Sequence, residues 1–201
     1  MFRRTVFQLF TCSWLVAMFS LLLSSCGRDY SPKPHGFPRL NLPPHQYQTL
    51  QGNYPYEFEF SKYATVYPDT FAKAEPYWIF VHYPLFKASV QLTYKPVMNS
   101  QERLKNMIDD AHRLSFKHNV KAYSIQETTL QTKSGRTVGL IRLLGEVPSH
   151  LQFYTTDSTK HFMRGAFYLS SATDNDSLQP VIDYVRQDMM HLLNTLKWKQ
   201  R

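Results

Sequence analysis

Four residues of this chain stand close enough together to suggest chemistry: Asp157, Ser158, His161 and Arg164. A carboxylate, a hydroxyl and an imidazole are the parts of a hydrolytic triad. A triad also needs its nucleophile poised against the base and an oxyanion hole, as a rule assembled from separate loops. No Gly-x-Ser-x-Gly elbow occurs anywhere in the chain. The same residues also make a polar turn between strands, in which Asp and Ser satisfy the backbone locally. On that reading Asp157, His161 and Arg164 form an ordered polar cluster that faces a partner protein, with Asp157 and Arg164 paired across the turn and His161 between them. Arginine and the neighbouring aromatics Phe153, Tyr154, Phe162, Phe167 and Tyr168 are the residue types that anchor interfaces, although strand aromatics are more often core. Metal chemistry has less support. His82, His112, His118, His150, His161 and His191 are dispersed without a His-Glu-x-x-His or His-x-x-x-His spacing, and no glycine cluster could cradle a phosphate. No catalytic residue, metal site or cofactor is expected.

Cys26 is the other reactive position. It ends Leu23-Ser24-Ser25-Cys26, which closes an apolar run from Val6 that begins after Arg3-Arg4. A charged start, an apolar stretch and a small-residue cleavage site define a secretory signal peptide. The terminal Cys matches the bacterial lipoprotein box, which implies diacylglycerol on the Cys26 thiol and cleavage just before it. The alternative is a plain transmembrane anchor, for which the run is about long enough, but Thr11, Cys12, Ser13 and Ser20 interrupt it. Residues 1–25 are thus read as a removed signal peptide. Cys12 goes with the signal and Cys26 is lipidated, so the folded part has no thiol for a disulfide, a zinc site or a nucleophile. Loss of Arg3 and Arg4 lowers the formal charge from +8 to +6. The excess is scattered, with no Lys/Arg block, which argues against nucleic acid as a partner.

These residues need elements to hold them. Residues 26–48 carry prolines at 32, 34, 38, 43 and 44 and read as an extended tether, able to span on the order of 60 Å. Phe37, Leu40 and Leu42 leave open whether it packs on the domain instead. Residues 49–201 read as one α+β domain. Tyr54–Tyr67 is expected to be a strand, because Tyr56, Phe58 and Phe60 alternate with Glu57, Glu59 and Ser61. Further strands are expected at 77–83 and 89–97, the latter ending near Pro96. Asn99 is expected to cap a helix running to about Lys117, with Glu102 reaching back. Strands at 122–132 and 137–147 flank the turn Lys133-Ser134-Gly135-Arg136, and a second pair at 152–156 and 162–170 flanks residues 157–161. Asp176 or Ser177 should cap a last helix with Pro180 in its first turn, and the stripe Leu178, Val181, Ile182, Val185, Met189, Leu192, Leu193 and Leu196 faces the core, with Trp198 completing it. Strands, helix, strands, helix, with short links between strands, gives an antiparallel sheet flanked by helices. The arrangement is similar to the Mog1/PsbP-like sandwich, a likeness of fold alone.

Three stretches in order resemble the gliding-motility lipoprotein GldD family of Bacteroidetes-type bacteria: Tyr30-Ser-Pro-Lys-Pro-His-Gly-Phe-Pro-Arg39; Gln152-Phe-Tyr-Thr-Thr-Asp-Ser with His161-Phe-Met-Arg-Gly165; and Asp176-Ser-Leu-Gln-Pro-Val-Ile182 with the helix leading to Lys197-Trp198-Lys199. His35 and Phe37-Pro38 depart from the expected basic residue and Tyr-Phe-like pair. The resemblance implies an envelope lipoprotein needed for gliding and for type IX secretion, with no known enzymatic activity and no assigned active site. Its partners would be the membrane, through Cys26, and other proteins of that apparatus. Gly27 stands where an inner-membrane retention Asp occurs in some bacteria, and no acidic run follows Cys26, so a periplasm-facing position is expected with the choice of membrane open. The rival reading, from another class, is a periplasmic lipoprotein that is an enzyme or binds a small ligand.

Overall fold

The computed structural model describes residues 41–117, 121–170 and 175–199, with backbone alone for 175–177. The signal segment, Cys26 and the tether as far as Leu40 lie outside the described residues.

Alternating apolar residues fold into strands because one face of each can be buried. Seven strands form one antiparallel sheet: β4 (Thr65–Pro68), β5 (Ile79–Tyr83), β6 (Ala88–Pro96), β7 (Ala122–Gln131), β8 (Thr137–Gly145), β9 (Leu151–Thr156) and β10 (His161–Leu169). Their spatial order is β4-β5-β6-β10-β9-β8-β7. After β6, in the middle of the sheet, the chain crosses one face as helix α1 (Gln101–Phe116) and resumes at the far edge as β7. The next three strands meander back until β10 pairs with β6. This route leaves α1 over β9 and β10 on that face. Leu104 and Ala111 pack there with Val97 and Phe162. Over the other half of the same face, β4 to β6, no helix of the described residues lies.

The opposite face is closed. Helix α2 (Asn175–Thr195) covers it, joined by two short ribbons in which β1 (Tyr47–Thr49) pairs with β3 (Glu59–Ser61), and β2 (Tyr56–Glu57) with β11 (Lys197–Trp198). Between helix and sheet, Ile79, Leu92, Phe153, Met163, Phe167, Val185, Met189, Leu193 and Leu196 are all at most 1% exposed. Each such side chain contributes about 1.5–3 kcal/mol through removal of apolar surface from water. The expected α2 stripe is therefore the core stripe, with Val181 to Leu196 buried and Leu178 packed at its margin.

The expected strand Tyr54–Tyr67 is divided among β2, β3 and β4, which pair with three different partners. Its alternation did identify the buried side, since Tyr56, Phe58 and Phe60 are in the core. The N-cap of α1 is Ser100, whose hydroxyl accepts from the Arg103 amide, and not Asn99, which lies one residue earlier at φ 54°. Helix α2 begins at Asn175, so Asp176 and Ser177 lie within it and Pro180 falls in its second turn. The turn at 133–136 is as expected: Gly135 takes φ +76° with no atom near its missing side chain, and the Lys133 amide donates to Asn194 Oδ1 on α2 at 2.9 Å. Of the tether, Leu42 packs on the core, while Phe37 and Leu40 lie outside the described residues. His45 stacks on Tyr184 at 4.3 Å and shares a 2.7 Å hydrogen bond with Asp188, and Tyr47 stacks on His191 at 3.5 Å.

Candidate functional site

Asp157 sits between β9 and β10, and its Oδ1 accepts three backbone amides, from Thr159 at 3.0 Å, Lys160 at 2.8 Å and His161 at 2.8 Å. Burial alone would raise this carboxyl, but the donors from His161, Lys160 and Thr159 outweigh it and hold it below the usual carboxylate value. Ser158 is the left-handed apex, φ 68°, and its amide donates to Thr156 Oγ1 at 2.9 Å. A Ser/His/Asp relay is therefore not assembled here. The carboxylate shapes the turn, and the turn holds the chain that follows β6: Val97 N–H donates to Lys160 O at 2.9 Å and Asn99 N–H to Thr159 O at 2.7 Å. Met98 and Asn99 adopt φ 58° and 54° to make these bonds, and Ser100 then opens α1. Left-handed backbone is uncommon for a residue such as Met98, so the two bonds have a real conformational cost to offset. Asp157 thus fixes where α1 starts.

Strand alternation sends His161 and Arg164 to opposite faces of the sheet. His161 lies on the α2 side. Its Nδ1 shares a 2.9 Å hydrogen bond with the Tyr94 hydroxyl, and its ring stacks on Trp198 at 5.0 Å and 9°. Arg136 lies over the same indole at 5.6 Å. Burial lowers the imidazole pKa, opposed by the Asp157 carboxylate, with Lys160 adding to the lowering. At 4.0 Å, His161 Nε2 and Asp157 Oδ2 are too far apart for a hydrogen bond, and the ring is favoured neutral. Burial likewise lowers Arg136, with the Asp157 charge opposing.

Arg164 faces α1. It does not pair with Asp157. Its Nη2 donates to Gln152 Oε1, which also accepts from Ser115 Oγ, 2.9 Å away in the last turn of α1. Arg164 is only 8% exposed, Ser115 is fully buried and Gln152 nearly so. Arg164 Nε and Gln152 Nε2 are buried without a partner among the described residues. Above them opens a cleft of about 820 Å³. Its floor includes Gln91, Thr93 and Lys95 of β6 with Phe162, Arg164 and Tyr168 of β10; α1 makes one wall, and Trp78 with Glu75 stands at the other side. The cleft lies where α1, on its way to the sheet edge, leaves β5 and β6 uncovered. Of the flagged aromatics, Phe153, Phe162 and Phe167 are core, while Tyr168 is half-buried in the cleft.

The structure thus brings Asp157 and His161 together under one turn and separates Arg164 from both. Gln152 and Ser115 were missed as partners of Arg164. Ser115 carried a usable signal, because it continues the Leu104, Ala111 stripe with a small polar residue four positions on. Tyr94 and Trp198 looked like ordinary core, and only the folded chain places them against His161. Among the described residues, no group of three or more His, Cys, Asp or Glu is placed to hold a metal.

No curated protein matches the chain. Among solved structures, the solution structure of cyanobacterial PsbP (CyanoP) from Synechocystis sp. PCC 6803 is similar over 78% of this chain and 95% of that one, at 12% identity and a TM-score of 0.45. That neighbour is a PsbP protein, the kind of fold to which the element order was likened; the α+β class here rests on the strands and helices themselves. The model of the gliding motility lipoprotein GldD family matches residues 27–198, nearly the whole of the chain beyond Cys26. On that match, the chain belongs to the gliding motility lipoprotein GldD family.

Proposed function

We propose that the protein is a lipid-anchored accessory or scaffold component of the cell envelope that supports gliding motility and type IX protein secretion through contacts with other proteins of that apparatus. The observation that carries this reading is membership of a gliding motility lipoprotein family over residues 27–198, a match that starts one residue beyond Cys26. Among the described residues no helix is long and apolar enough to cross a membrane. Attachment by diacylglycerol at Cys26 supplies the anchor in this reading, with the domain facing the periplasm. Two acyl chains hold stably where a single chain is marginal. No reaction step is assigned. The Asp157 carboxylate is engaged by backbone amides, and Ser158 is a turn apex. The partner-facing surface in this reading is the exposed turn 158–160 with the start of α1, which Asp157 orders and His161 underpins. Arg164 lies at the bottom of a cleft, out of reach of a flat partner surface.

Deletion of the gene tests the role. Loss of colony spreading together with loss of type IX cargo in the medium is expected, and normal spreading with normal cargo export would sink the reading. Cys26→Ala tests the anchor: an unprocessed or soluble form is expected, and a variant that fractionates and migrates like wild type removes the lipid attachment.

A further inference from the structure

The cleft over Arg164 has no part in the function proposed above. A guanidinium taken out of water is costly unless an anion or a full set of acceptors meets it. Among the described residues Arg164 has one acceptor, the neutral Gln152 oxygen, its Nε has no partner, and no carboxylate forms an ion pair with it. The other charges of the cleft do not fill the gap. Lys95 and Glu75 satisfy each other at 2.6 Å, Asp110 is taken by Arg113 at 2.6 Å, and Gln91 donates to Asp69 at 2.8 Å. Arg103 and Lys117 add two further cations at the walls. The remaining surface is apolar or weakly polar, with Trp78, Met98, Met107, Leu114 and Phe162 prominent. At about 820 Å³ the space is that of a small-molecule site, mostly apolar with one placed polar group.

We propose that this cleft binds a small amphiphile with a single terminal carboxylate, which meets the Arg164 guanidinium while the apolar body lies against Trp78, Met107 and Phe162. A carboxylate suits the planar fork of one arginine, for which a bidentate pair is the strong arrangement. A cationic ligand would meet Arg103, Lys117 and Arg164 with like charge. The two methionines give the walls the adaptability to take chains of differing shape.

The test titrates octanoate, 1-octanol and octylammonium by calorimetry into the full chain in phosphatidylcholine nanodiscs, with empty nanodiscs subtracted. Octanoate is expected to bind at least ~10-fold more tightly than either analogue, and Arg164→Met to weaken it by ~10-fold or more, as expected for loss of a charge-assisted hydrogen bond. Leu114→Glu, at an exposed position on the lip, supplies a competing carboxylate and is expected to weaken octanoate severalfold without altering the fold. This second variant keeps the test decisive if Arg164→Met does not fold. Equal affinity for octanol and octanoate, no octanoate binding at millimolar concentration, or octanoate affinity within twofold of wild type in a folded Arg164→Met protein or, where that variant does not fold, in Leu114→Glu, would each overturn the proposal.

Discussion

Strand β10 presents two different surroundings on its two sides. Met163 and Phe167 point under α2 and are fully buried, with Phe153 beside them from β9. Arg164 and Tyr168 point the other way, into a cleft that α1 walls on one side only. The sheet is the same; the covering differs. Helix α2 is 21 residues long and is supplemented by two ribbons, β1 with β3 and β2 with the C-terminal β11, so its face is closed. Helix α1 is 16 residues long and serves as the crossover from the middle of the sheet to its edge, so β5 and β6 stay open beneath it. Stability is concentrated on the first face, and room for a ligand is left on the second.

The sharpest way to break that contrast is a matched pair of truncations. Phe153→Ala on the closed face is expected to cost about 3–5 kcal/mol, because the surrounding core cannot collapse. Met107→Ala at the cleft should cost under ~1 kcal/mol, since water already reaches its space. Equal losses in denaturant titrations would show that the cleft is as tightly packed as the core. Next in size is Asp157→Ala, which removes the acceptor for three amides and should cost about 1–2 kcal/mol, as loss of a helix-type cap does. Asp157→Asn keeps an acceptor oxygen and should recover most of the loss. If both variants behave alike, the turn does not depend on that oxygen.

The closed face also has a pH signature. The His161 pKa in the fold is lowered from 6.5, so the unfolded chain binds the extra proton first. Stability contributed by this group is full above pH ~6.5 and declines as the pH falls from there through the lowered folded value. Melting temperature should therefore fall on acidification below that point, and His161→Gln should flatten the decline. A steeper decline in the variant would mean that the imidazole is protonated in the fold. The smallest effect is expected at Arg164. Its burial is costly and only partly compensated, so Arg164→Met should leave stability within about 1 kcal/mol of wild type. A loss of several kcal/mol would make Arg164 a structural pillar of the sheet.

Much of this contrast was readable from periodicity. The α2 stripe, the two hairpins and the buried side of Tyr56, Phe58 and Phe60 follow from spacing alone, because burial of one face dictates it. What spacing does not encode is which partner a strand takes. Residues 54–67 look like one strand, but the chain there changes neighbours twice, guided by α2 and its C-terminal ribbon. The cap of α1 was misplaced by one residue because Asn99 and Ser100 are both good caps, and the tie from Asn99 to Thr159 that settles the choice joins segments some sixty residues apart. The cluster at 157–164 was recognised as polar and ordered, but sequence proximity suggested one site where strand alternation makes two. The fate of Arg164 depends on Gln152 and Ser115, which no local pattern links.

Residues 42–49 have a mechanical meaning. Tyr184, Asp188 and His191, the residues that hold His45 and Tyr47, fall at helical spacing along one side of α2. Tension applied at the N-terminal end of the described chain is therefore taken up first by that helix and by the three-residue pairing of β1 with β3. The first contacts to take the load thus lie on the closed face, on the side of the sheet away from the cleft.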